Sequence, residues 1–140
     1  MADAARDRVL IQEMTSHYAR AVDYCEIDGM DDLFTEDCRV LGVGNAGPIE
    51  GLSAWKAWLR NALERFGATQ HFFGNHFIIV EDDEASMRSS LQATHVIKAD
   101  PKETLVLLAT YYDELVRTPD GWRIREHLLE PQHIETRRAV

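Results

Sequence analysis

The chain of 140 residues has only two cysteines, Cys25 and Cys38. They form neither a CxxC pair nor a metal-ligand spacing, so no zinc site and no thioredoxin-like centre is expected. A Walker A loop, GxGxxG, GxSxG and HExxH are all missing. The usual signatures of phosphate cradles, serine hydrolases and zinc hydrolases are therefore absent. The opening residues, MADAARDRVL, lack an apolar run of signal-peptide length. No apolar stretch reaches the roughly 18 residues of a spanning helix. The expected location is the cytoplasm, with no membrane partner. Basic residues are scarce, 15 against 24 acidic, for a formal charge of −9. A nucleic-acid groove or an anionic membrane surface needs the opposite field, so neither is an expected partner.

Hydrophobic residues make up 45% and charged residues 28%, as in one globular domain. From Ala4 to Glu26 apolar residues recur every three or four positions without Gly or Pro, which predicts a helix. DGMDDLFTE (28–36) reads as a short second helix and CRVLGV (38–43) as a strand. A loop of Gly42, Gly44, Asn45, Gly47 and Pro48 follows, then a third helix over about Ser53–Arg65 stopped by Gly67. Beyond residue 70 the period changes to two. Four strands are expected at about 70–80, 86–98, 103–118 and 122–130, the last pair joined by the tight turn Pro119-Asp120-Gly121. Helices followed by an antiparallel meander predict a single α+β domain over 1–140, helices on one face of the sheet, with 131–140 as a loose tail.

Alternation assigns faces. His71, Phe73, Asn75, Phe77 and Ile79 share one side of the first long strand. Met87, Ser89, Leu91, Ala93 and His95 share one side of the next. Leu105, Leu107, Ala109, Tyr111 and Asp113 line the third, and Trp122, Ile124 and Glu126 the fourth. His95, Asp113, Glu126 and His71 thus fall among core residues. Buried charge is costly unless paired, so these groups either pair locally or line a cavity between helices and sheet. A bulge that moves Glu126 outward is a third option. Asp23, at the end of the first helix, is either a solvated terminal residue or the carboxylate that orients a histidine base.

Three strings together resemble the SnoaL-like, or nuclear-transport-factor-two-like, superfamily over about residues 8–130. They are YARAVDYCEIDGMDDLFTEDC, ATQHFFGN and YYDELVRTPDGWRI. The resemblance implies a cone-shaped curved sheet packed on three helices around a pocket. Within the superfamily the chain is most similar to the scytalone dehydratase and hexachlorocyclohexane dehydrochlorinase group. In that group an aspartate closing the first helix pairs with a histidine on the first long strand, which takes a proton beside a leaving group. Asp23 and His71 occupy those places, and His95 resembles the second pocket histidine of scytalone dehydratase. That enzyme's pair of substrate-polarising tyrosines has no counterpart at the matching positions; Tyr18 and Tyr111 are the nearest candidates.

The expected activity is elimination of water from a small apolar cyclic, polyketide-like or steroid-like molecule. Isomerisation or cyclisation by the same dyad is the alternative, as is a binding protein without catalysis. Expected catalytic residues are His71, Asp23 and His95. Asn75, Tyr111, Tyr18, Phe73, Phe77, Trp55, Trp58, Met87, Leu91 and Glu126 are expected to contact substrate. Neither a metal nor another cofactor is expected. His17, His76 and His127 are expected at the surface or an interface. Phe72, Ile78, Val80, Val96 and Leu108 are expected to form an outer sheet face, which predicts a homo-dimer or homo-trimer.

Overall fold

A computed structural model describes residues 3–45 and 47–140. Helix α1 (Ala4–Asp23) starts at Asp3, whose carboxylate accepts from the backbone N–H groups of Ala5 and Arg6. Its buried stripe, Ile11, Met14, Tyr18, Ala21 and Val22, follows the three-and-four spacing of one helix face. The expected second helix is a 3-10 turn over Ile27–Asp32. Strand β1 (Phe34–Leu41) begins earlier than its sequence suggested, and the two-residue β2 (Ile49–Glu50) pairs with it. Helix α2 (Leu52–Leu63) buries Trp55 and Leu59. Four long strands follow: β3 (Phe66–Glu81), β4 (Glu84–Ile97), β5 (Glu103–Thr118) and β6 (Gly121–Arg138). No helix among the described residues is long and apolar enough to cross a membrane.

The six strands run in the order β2-β1-β6-β5-β4-β3. Neighbours are antiparallel except β1 and β6, which are parallel, so the sheet is mixed. The helices cover its concave face. Residues 131–138, expected as a tail, continue β6 along β5 to the pair Glu103 and Arg138. Gly42 ends β1 against β6: its φ is +76°, and a Cβ there would sit 2.0 Å from the carbonyl oxygen of Leu129. Only glycine fits that approach.

Two irregularities reassign side chains. In β3 the register with β4 slips between Gly74 and Phe77, and Asn75 adopts φ 51°. A bulge of one extra residue reverses the alternation beyond it. Phe73 stays inside, Phe77 and Ile79 turn out, and Ile78 and Val80 pack on the core. In β6 the register slips beside Glu114 and Leu115, leaving Arg125 extra. Trp122 and Ile124 face inward before it and His127 after it, while Glu126 leaves the core face. Of the expected outer apolar face, Phe72 and Leu108 are exposed, Val96 is half-buried, and Ile78 and Val80 belong inside.

The end of α1 farther from the cavity is fixed by one polar knot. Arg117 donates two hydrogen bonds of 2.9 Å to the two carboxylate oxygens of Asp7, and the Trp122 indole N–H donates a third at 3.0 Å. Arg117 first, then Trp122, holds the Asp7 carboxyl down to about 2. Helix and closing hairpin are thereby locked in register.

Candidate active site

Asp23 is the last residue of α1. A carboxylate there opposes the helix dipole, so the position is unfavourable without donors. Three are supplied by β3. The Thr69 hydroxyl donates to Oδ1 at 2.9 Å, and the His71 backbone N–H donates to Oδ2 at 3.0 Å. The third contact joins His71 Nδ1 to Oδ1 at 2.7 Å. Because β3 is an edge strand, its outward N–H groups lack strand partners, and the Asp23 carboxylate satisfies one of them. Burial pushes the Asp23 carboxyl up, but the bonds from the His71 ring, the His71 backbone and Thr69 outweigh it and hold the group below its usual range. It stays ionised and fixes the imidazole proton on Nδ1. Nε2 is left as the basic nitrogen.

His71 opens onto a cavity of about 500 Å³ between the helices and the sheet. The polar side chains on its wall are Tyr18, Tyr111, His71, His95, Asn45, Asn61 and Arg65, among Trp55, Trp58, Leu105, Leu107 and Leu129. This is the composition of a small-molecule pocket. A second cleft of about 550 Å³, on the outside of α1 by Leu10, His17, Arg20 and Trp122, contains no such pair.

His95 stands edge-on to His71, with ring centroids 5.2 Å apart, and packs on Phe66 at 4.7 Å. Burial first, then any positive charge on His71, brings its pKa down to about 4. At neutral pH it is an uncharged hydrogen-bonding group. Tyr18 and Tyr111 come from α1 and β5 and bring their hydroxyls within 3.3 Å of each other. Burial raises both phenols, so both keep their protons; one hydroxyl donates to the other, whose own proton is left for a ligand. Tyr18 lies at the centre of the cluster, its ring 6.5 Å from His71 and 5.9 Å from Phe73.

The structure therefore brings Asp23, His71, His95, Tyr18, Tyr111, Trp55 and Trp58 around one cavity. Phe73 stacks behind Tyr111, while Met87 and Leu91 are core residues behind the cavity wall. Asn75 and Phe77 are corrected: the β3 bulge turns Phe77 to solvent at 61% exposure and places Asn75 in an outer groove. Glu126 is also corrected, because the β6 bulge gives its inward place to His127.

His127, expected at the surface, is only 2% exposed. Its Nδ1 is hydrogen-bonded to the Asp113 carboxylate, opposite it in register. The pair lies one step below the cavity floor, since Tyr111 and Leu129, the preceding and following inward residues of the two strands, line that floor. A signal for it existed in the sequence. Counting back from the tight turn without a bulge sets Asp113 opposite Glu126, two carboxylates together, and one extra residue replaces that repulsion with a histidine.

Comparison with known proteins gives the family and the fold. A family model described as a SnoaL-like domain matches residues 3–127. Rv2910c, an uncharacterised protein of Mycobacterium tuberculosis, is 35% identical over 119 residues, 84% of this chain and 80% of that protein. Two solved structures come from Novosphingobium aromaticivorans. A provisionally named aromatic ring hydroxylase shares 26% identity with a TM-score of 0.87, covering 97% of this chain and 96% of the other. A provisionally named scytalone dehydratase shares 27% with a TM-score of 0.80, covering 92% and 88%. The hexachlorocyclohexane dehydrochlorinase LinA type 2 shares the fold, with a TM-score of 0.85 over 97% and 92% of the two chains at 15% identity. With the family model spanning both the helices and most of the sheet, the chain belongs to the SnoaL-like domain family.

Proposed function

We propose that the protein is a lyase that removes water from a small, largely apolar cyclic compound bearing a carbonyl and a β-hydroxyl. The observation that carries this reading is the 2.7 Å contact between His71 Nδ1 and Asp23 at the wall of an apolar cavity. His71 Nε2 takes the proton from the carbon beside the carbonyl. Asp23 holds the ring in the required tautomer and stabilises the imidazolium. One hydroxyl of the Tyr18–Tyr111 pair donates to the carbonyl oxygen as it gains negative charge while the other donates to that hydroxyl, and neutral His95 positions the leaving hydroxyl. The C–H electron pair becomes the new double bond as the C–O bond breaks. The departing hydroxide takes the proton back from His71 and leaves as water.

The test uses 3-hydroxy-1-tetralone, whose loss of water gives 1-naphthol. Wild-type protein is expected to accelerate 1-naphthol formation and the His71→Gln variant to lose that acceleration. Equal rates for the two proteins overturn the reading. Exchange of the carbon-bound proton with solvent deuterium, without water loss, redirects it to isomerisation by the same base.

A further inference from the structure

The chain carries 24 acidic residues and a formal charge of −9, yet among the described residues no aspartate or glutamate lines the cavity that His71 opens onto. The one permanently charged side chain on that wall is a cation, Arg65, in the short link between α2 and β3. Its backbone carbonyl accepts from the Lys98 N–H at 3.0 Å, which ties the link to the end of β4. Its guanidinium carbon stands 4.6 Å from the centre of the Phe66 ring. Phe66 packs on His95 at 4.7 Å, and the His95 ring stands 5.2 Å from that of His71. A row of packed groups thus runs from Arg65, which is exposed, to the dyad. Burial and His71 come first among the causes that hold His95 neutral, and the charge of Arg65 adds to them.

Stacking on Phe66 covers a flat face of the guanidinium and leaves its N–H edge free. Arg60, on α2, uses that edge to hold Asp28 at 2.7 Å. Arg65 has no carboxylate partner among the described residues. Its edge offers two parallel donors to an oxyanion. The overall negative field repels anions, so the acid-free wall and its single cation mark the place where one is accepted. With no second cation on the wall, a single negative charge spread over two coplanar oxygens is the better match. We propose that the ligand carries a carboxylate, which Arg65 binds at the rim while the ligand's apolar ring enters the cavity toward His71. The substrates are then cyclic hydroxy-keto acids, and Arg65 selects and orients them without touching the reacting atoms. The inference rests on the cavity proposed above as the reaction site. Turnover of neutral 3-hydroxy-1-tetralone tests the lyase reading without any carboxylate, so the two fail separately.

The probes are 2-naphthoate and its neutral counterpart 2-naphthamide, titrated calorimetrically at pH 7. The wild-type protein is expected to bind naphthoate more tightly than naphthamide by about fivefold at low ionic strength, an advantage that shrinks as salt is added. Arg65→Gln should remove the advantage and leave the affinity for naphthamide unchanged. His71→Gln should keep it. Equal binding of the two ligands by the wild-type protein, or binding of neither, overturns the inference. A loss of affinity for both ligands alike in Arg65→Gln also overturns it, because Arg65 then only supports the wall. So does an advantage lost in His71→Gln and kept in Arg65→Gln, because the anion then sits at the dyad. Tighter binding of 2-naphthyl phosphate than of naphthoate overturns the carboxylate assignment.

Discussion

Two histidine–aspartate pairs of the same chemistry stand within one small domain and occupy different environments. His71 and Asp23 join an edge strand to a helix end, and the Asp23 side chain retains 16% exposure. Its carboxylate takes three hydrogen bonds, and the free imidazole nitrogen belongs to the cavity wall. His127 and Asp113 join two central strands and are 2% and 3% exposed. The first pair can lose a partner and still be solvated. The second cannot, because a buried charge without its partner has nowhere to place its field. Identical side chains are thus suited to chemistry in one place and to holding the interior in the other.

The largest expected effect sharpens that contrast. His71→Gln should lower turnover of 3-hydroxy-1-tetralone by about 10³-fold or more and leave the urea midpoint nearly unchanged. Asp113→Asn should do the reverse in kind, destabilising the fold by about 3–5 kcal/mol in urea unfolding. If Asp23→Asn destabilises as much as Asp113→Asn, the contrast between the pairs is broken.

His95 supplies a pH test. Its folded pKa of about 4 lies below the 6.5 of the unfolded chain, so the unfolded state binds the extra proton between those values. The contribution of the neutral ring is complete above pH 6.5 and is lost as the pH falls through about 4. Urea titrations from pH 7 to 4 should show a decline on the order of 2 kcal/mol from this residue, which His95→Phe removes. The smallest effect belongs to the β3 bulge. Asn75 holds φ 51°, and Asn75→Gly should change stability by less than about 1 kcal/mol. A large loss would show that its side chain has a role the geometry does not reveal.

Legibility in the sequence followed regularity. The inward faces of β4 and β5 alternate without an extra residue, and Met87, Leu91, His95, Tyr111 and Asp113 lie inside as their spacing predicts. β3 and β6 each carry bulges, and beyond them simple alternation assigns the wrong face. For that reason Phe77 lies outside and His127 inside, against their simple alternation. Asp23 and His71 lie 48 positions apart, and neither strand period nor helix period measures the distance between them. The superfamily resemblance paired them; no spacing rule did. The tyrosine pair formed across α1 and β5, two elements whose separate patterns carry no information about each other.

The contact at Gly42 has a practical consequence for redesign. Where β1 meets β6, one side of the pocket is backbone against backbone, with no room for even a methyl group. That seam acts as the fixed jaw of a vice. Ligands of a different width have to be accommodated elsewhere on the wall, where Leu105, Leu107 and Trp58 are ordinary side chains open to trimming. A library for altered substrates placed at those three positions samples pocket size, whereas the same effort at position 42 samples misfolding.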